Sequence, residues 1–107
     1  MEELNLSDRL RLIAGLIKKG SKVADIGTDH GYLPIFLVKS GITDRVIAMD
    51  VRKGPLKKAE DNTRAFCVFD QIELRLSDGL AALEKGEADT VTISGMGGRL
   101  IQSILTN

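Results

Sequence analysis

Residues 23–34 read VADIGTDHGYLP, and the fold depends on how this stretch divides. Val23, Ala24 and Ile26 begin as a strand, Gly27 and Gly31 supply a turn, and the apolar residues of a helix follow from Tyr32. Strand, glycine turn and helix in that order make a nucleotide-binding turn, in which glycines let the backbone approach a ligand. One feature departs from that layout. Asp29 and His30 stand where a phosphate-binding loop offers only backbone N–H groups.

The flanking sequence repeats the same alternation of elements. Upstream, Ser7 is placed to N-cap a helix, with Asp8 at its positive end and Leu10, Ile13, Ala14 and Ile17 at helical spacing before Gly20. A strand is expected from about Lys22 to Ile26 and a helix from Tyr32 to Ser40, with Pro34 in its first turn and Gly41 closing it. RVIAMD, Arg45 to Asp50, reads as a second strand, and Pro55 opens a helix with Leu56, Ala59, Thr63 and Phe66 on one side. QIELRL, Gln71 to Leu76, alternates strictly, which marks a half-exposed strand at a sheet edge. A short helical piece around Leu80 to Leu83, a fourth strand DTVTIS, a GMGG turn and a helix near Leu105 complete the expectation. Alternating strands and helices imply an α/β fold, a doubly wound Rossmann-like parallel sheet of order 3-2-1-4 with flanking helices.

Composition limits the partners. A chain of 107 residues with 43% apolar side chains is long enough for one domain with a core. Fifteen basic and fifteen acidic residues cancel, so nucleic acid would be met by a local patch and not by the field of the whole molecule. Cys67 is the only cysteine, which excludes an intramolecular disulfide and any cysteine-based metal cluster; no metal is expected. With no signal peptide and no apolar run long enough to span a bilayer, the expected setting is cytoplasmic and away from membranes.

In doubly wound sheets the ligand lies beyond the carboxyl ends of the strands where the winding reverses, here between the first and fourth strands. Gly27 and Gly31 lie at that place, and Asp50, at the end of the second strand, is positioned to accept hydrogen bonds from ribose hydroxyls. This fits a dinucleotide or S-adenosylmethionine. Asp25 and Asp29 discriminate: a pyrophosphate tolerates no nearby carboxylate, whereas S-adenosylmethionine has no phosphate and carries an ammonium and a sulfonium. Asp78, after the third strand, is a candidate acceptor for the adenine amino group.

NLSDRLRLIAGLI, DIGTDHGYLP, DVRKGP, LSDGL and ISGMGG, in that order, resemble the TrmK family of bacterial tRNA adenine-N1 methyltransferases, a branch of the class I S-adenosylmethionine-dependent fold. The resemblance covers nearly the whole chain. It implies S-adenosyl-L-methionine as cofactor, tRNA as partner and 1-methyladenosine at position 22 as product. It also implies one cofactor-binding domain over residues 1–107, continued in family members by the rest of the sheet and a helical C-terminal domain. Family members commonly carry glutamate where this chain has Asp50.

The cofactor set expected from these motifs is Asp25, Gly27, Asp29, His30 and Gly31 from the first turn, Asp50 and Val51 from the second strand's end, Ser77, Asp78 and Gly79 from the third, and Ser94 and Gly95 from the fourth. Asp29, Tyr32, Gly95 and Met96 are the catalytic candidates, with Gly97 and Gly98 completing the transfer-site wall. Several carry a second reading: Asp29 as a helix cap, His30 as a packed or capping residue, Tyr32 as core, and 95–98 as an ordinary strand-to-helix turn. Arg9 is the candidate RNA contact. The alternative functions are a cofactor-binding fragment without activity of its own and a nicotinamide-dependent oxidoreductase. A fourth strand with no neighbour would also leave an edge open to self-association through Val91 and Ile93.

Overall fold

The structure, a computed structural model, describes residue 4, residues 6–94 and, as a strand, residues 99–102. The elements are α1 (Asp8–Leu16), β1 (Val23–Ile26), α2 (Tyr32–Lys39), β2 (Val46–Asp50), α3 (Lys53–Ala65), a 3₁₀ turn at Phe69–Gln71, β3 (Ile72–Leu76), β4 (Thr90–Ile93) and β5 (Arg99–Gln102).

Local chemistry accounts for the helix ends. The Ser7 hydroxyl accepts the Leu10 N–H at 3.3 Å, which caps α1. Pro34 and Pro55 both sit in first turns, where the missing N–H breaks no helical bond. The buried stripe of α3 is Ala59 and Thr63, with Phe66 just beyond its end.

The sheet runs β3-β2-β1-β4-β5, with β1, β2, β3 and β4 parallel. The expected 3-2-1-4 order is therefore present, with β3 at an edge. Residues of one parity, Val23, Val46, Ala48 and Ile72, join Ile13, Leu33, Leu37 and Phe66 in the larger core on the helix side. Leu33, Ile35 and Leu37 are fully buried, and each such burial contributes on the order of 1.5–3 kcal/mol. Ala24 and Met49, of the other parity, pack with Ala88 in a smaller cluster flanked by Leu80 and Leu83.

Three expectations are corrected. Arg99–Gln102 is a strand, not the start of a helix, and pairs antiparallel with β4, setting Ile93 against Arg99 and Thr90 against Gln102. The few residues between them suffice for an antiparallel return, whereas a parallel crossover needs a dozen or more. The outer edge of β4 is thus covered, and self-association through Val91 and Ile93 loses its basis; Leu105 lies outside the described residues. Finally, residues 80–83 form turns instead of a helix. The Ser77 hydroxyl donates to the Gly79 carbonyl at 2.8 Å and accepts the Ala82 N–H at 3.0 Å, offering the backbone local partners in place of helical ones.

Candidate cofactor site

Four parallel strands end on the same side of the sheet, and the reversal of winding between β1 and β4 opens a cleft there. Ile26, Gly27, Asp50, Val51, Ser77, Asp78, Gly79 and Ile93 line it, with Arg52 at the mouth, around a volume of about 230 Å³. A larger cleft of about 410 Å³ lies at the opposite ends of the strands, among Lys22, Arg45, Glu73 and Glu87. It has neither the glycine turn nor the acid of β2, so the smaller cleft is the candidate site.

Asp50 organises it. The carboxylate is 2% exposed; Oδ2 accepts the Asp29 N–H at 3.1 Å, and Oδ1 accepts the Arg52 N–H at 2.9 Å and Arg52 Nε at 3.3 Å. Burial raises its pKa, but these donors and the nearby guanidinium outweigh it and leave the pKa below the ordinary carboxylate value. Asp50 is held ionised. A carboxylate accepts about four hydrogen bonds. Two here are fixed backbone donors, while the third comes from a guanidinium 60% exposed, which can turn to solvent and free Oδ1 for a ribose hydroxyl. The donor set therefore fits the ribose of an adenosine cofactor.

The first turn is built by conformation as much as by glycine. Asp29 adopts φ 57°, a left-handed geometry that aspartate tolerates better than most residues, and this aims its N–H at Asp50. Its side chain faces outward, 3.6 Å from His30 Nδ1 and 3.9 Å from an Arg52 amino group. Asp29 does not cap α2. The N-cap is Gly31, at φ 78° and without a side-chain cap bond. Gly31 serves packing: a Cβ there would lie 3.1 Å from Ala59 Cβ, so its glycine lets α2 approach α3. The Asn62 amide fastens the turn by donating to the His30 carbonyl at 2.8 Å.

His30 and Tyr32 are neither packed nor core. Both are partly exposed beside Asp29, with ring centroids 5.6 Å apart. Asp78 is exposed in the cleft wall, and its carboxylate has no partner among the described residues. Ser77 is buried and ties this wall to β2 through its N–H on the Asp50 carbonyl at 2.9 Å. Arg9 is exposed on α1 and does not line the cleft. Gly95, Met96, Gly97 and Gly98 lie outside the described residues.

Asp25 differs from its expected role. It is wholly buried and faces β4, accepting the Thr92 hydroxyl at 2.6 Å and the Ser94 hydroxyl at 2.7 and 2.9 Å. Burial pushes its pKa up to about 6, against the opposing effect of these hydroxyls. The Thr28 hydroxyl, 2% exposed as a residue and near the same carboxylate, makes no hydrogen bond of good geometry. Asp25 is a strut between β1 and β4 beneath the turn, not a wall of the cleft.

Sequence reasoning missed Arg52, Thr28 and Thr92. Arg52 was legible as a cation two residues after the acid of β2. Thr92 was legible as a polar residue in an interior strand of a parallel sheet, where apolar residues are the rule.

The profile of the methyltransferase-domain family matches residues 6–107. A tRNA (adenine(22)-N(1))-methyltransferase of Bacillus subtilis (strain 168) is 43% identical over 98% of this chain and 44% of its own length. Streptococcus pneumoniae Sp1610, solved in complex with S-adenosyl-L-methionine, superposes with a TM-score of 0.80 at 40% identity over 86% of this chain and 44% of that one. TrmK of M. capricolum, solved with S-adenosyl-homocysteine, superposes with a TM-score of 0.73 at 30% identity over 82% of this chain and 51% of that one. This chain thus spans about half the length of the relatives it matches. A doubly wound sheet, an acid-ended β2 and these matches agree, and the chain belongs to the methyltransferase-domain family, in its TrmK-like branch.

Proposed function

We propose that residues 1–107 form the cofactor-binding domain of an S-adenosylmethionine-dependent tRNA methyltransferase that makes 1-methyladenosine at position 22. The observation that carries this reading is Asp50, an ionised acceptor at the cleft with its nearest cation on an exposed, movable side chain. The names and bound cofactors of the TrmK-like relatives support it. Such a protein acts in the cytoplasm, where its tRNA is; among the described residues no helix is long and apolar enough to cross a membrane.

Asp50 holds the ribose, with Gly27 and Val51 beside it, and Asp78 accepts from the adenine amino group. The cofactor supplies a methyl group on a sulfonium. Adenine N1 of the tRNA would take the methyl with its own lone pair as the methyl–sulfur bond breaks and its electrons stay on sulfur, so no base must first remove a proton, and the protein's main task is alignment. The target base leaves its stack to reach the site. Asp29, His30 and Tyr32 are the side chains that meet it: Tyr32 offers a ring face, and the Asp29 carboxylate holds the N6 amino group and offsets the positive charge that develops on the ring. Gly95 and Met96 complete the site, and Arg9 contacts backbone phosphate.

Transfer of labelled methyl to transcribed tRNA, with the modified base mapped, tests the proposal on the full protein. Label at A22, lost when that base is changed to G, is the expected result; label elsewhere or on protein overturns it.

A further inference from the structure

β3 is one of the sheet's two edges among the described residues, with β2 as its only strand partner, β5 being the other edge. The Ser77 N–H bonds to the Asp50 carbonyl, and in a parallel pair alternate residues face the neighbour. Glu73 and Arg75 therefore turn their backbone groups toward β2, while Ile72, Leu74 and Leu76 present theirs outward. This edge has no lysine, proline or bulge to blunt it.

Its sequence, IELRL, is complementary to itself in the antiparallel sense. A two-fold axis through Leu74 sets Ile72 against Leu76 of a second copy and Glu73 against Arg75, and the same contacts recur on the other side of the axis. The surroundings follow the same symmetry. Toward the carboxyl end of β3 a groove of about 310 Å³ carries Leu56, the half-exposed Leu76, the cations Lys53 and Lys57 and one anion, Glu60. Toward the amino end a groove of about 410 Å³ carries Ile72, Phe69 with the Arg64 guanidinium 3.7 Å over its ring, the anions Glu60, Asp70 and Glu73, and one cation, Arg45. The axis brings the end of each copy with an excess of lysine to the end of the other with an excess of carboxylate, and it places Leu76, an apolar side chain 49% exposed, over the partner's Phe69–Ile72 groove. Lys57 has an exposed intrachain partner, Asp61, in a pair that contributes little, whereas Glu73 accepts from Arg75, whose side chain is 18% exposed and also held by Glu87. The contacts of lysine on one copy with carboxylate on the other bias the register, and strand pairing with apolar contact supplies the affinity.

We propose that β3 is a homodimerisation edge at which two copies pair antiparallel about Leu74, continuing the sheet from one molecule into the next. This does not depend on which cofactor or substrate the cleft takes.

Sedimentation equilibrium on the wild-type protein through a dilution series is expected to show a reversible monomer–dimer equilibrium. Leu76→Glu, at an exposed position, sets a carboxylate beside Asp70 and Glu73 of the second copy. It should raise the dimer dissociation constant at least about tenfold while the circular dichroism stays unchanged. In a Cys67→Ser background, Leu74→Cys should give a covalent dimer on mild oxidation, because directly opposed residues lie within disulfide reach. A wild-type monomer throughout the series overturns the proposal. So does a dimer indifferent to Leu76→Glu whose Leu74→Cys form does not cross-link.

Discussion

The Asp29 N–H reaches Oδ2 of Asp50 at 3.1 Å across the gap between β1 and β2, so the glycine turn and the ribose acceptor are one unit. Removing Asp50 should therefore act twice. Asp50→Ala deletes charged-acceptor bonds to the ribose, each worth about 1.5–3 kcal/mol, and releases the Asp29 turn. S-adenosylhomocysteine affinity should fall by at least about tenfold in calorimetry. An unchanged affinity would remove Asp50 from the site.

Asp29 can be tested without disturbing its backbone. Alanine at φ 57° adds left-handed strain of about 1–2 kcal/mol, so Asp29→Ala mixes two effects. Asp29→Asn and Asp29→Gly both suit that conformation and both remove the charge. Each should lower the methyl-transfer rate of the full protein by more than it lowers cofactor affinity, with melting temperature kept. Equal loss of rate and affinity would instead place Asp29 on the cofactor.

Gly31→Ala meets strain at φ 78° and a Cβ contact of 3.1 Å with Ala59, whereas Gly20→Ala, at φ 86°, meets strain in open space. The first should cost the left-handed penalty plus roughly 1–3 kcal/mol of overpacking, the second the penalty alone. Thermal melts of the pair measure the difference. Equal losses would mean that α2 and α3 are not held at this approach.

The sheet order, the edge position of β3 and the place of Asp50 were all legible in the sequence, because each follows from alternation or from spacing along a parallel fold. Arg99–Gln102 was not, since RLIQ is too short for its period to separate strand from helix. The surroundings of Asp25 were not legible for a different reason. A carboxylate beside a glycine turn looks like a ligand group, but the hydroxyls that enclose it come from Thr92 and Ser94, 67 and 69 residues away. Arg52 was missed because its effect is a competition for Asp50, visible only when both side chains are placed.

Asp25 should leave a pH signature. Its folded pKa, about 6, is above the ordinary 3.8, so its contribution to stability is full below pH 3.8 and is lost as pH rises through about 6. The size is on the order of 3 kcal/mol for a shift of this kind. Glu87 acts in the opposite sense. The Arg75 guanidinium, bonded at 2.6 and 2.7 Å, holds its pKa down to about 2, so that its stabilisation is present above pH 4.5 and lost as pH falls toward 2. Melting temperatures of wild type and Asp25→Asn should therefore diverge with pH between about 4 and 6, the wild type losing ground as pH rises. Parallel curves would contradict a buried, titrating Asp25.

Calorimetric titration of this chain with S-adenosylhomocysteine, S-adenosylmethionine and NAD tests the cofactor assignment most directly. The ionised Asp50 predicts saturable binding of the two sulfur cofactors, and the carboxylate of Asp29 beside the turn predicts none of NAD, whose pyrophosphate it opposes. Saturable NAD binding, or no binding of either sulfur cofactor, would contradict it.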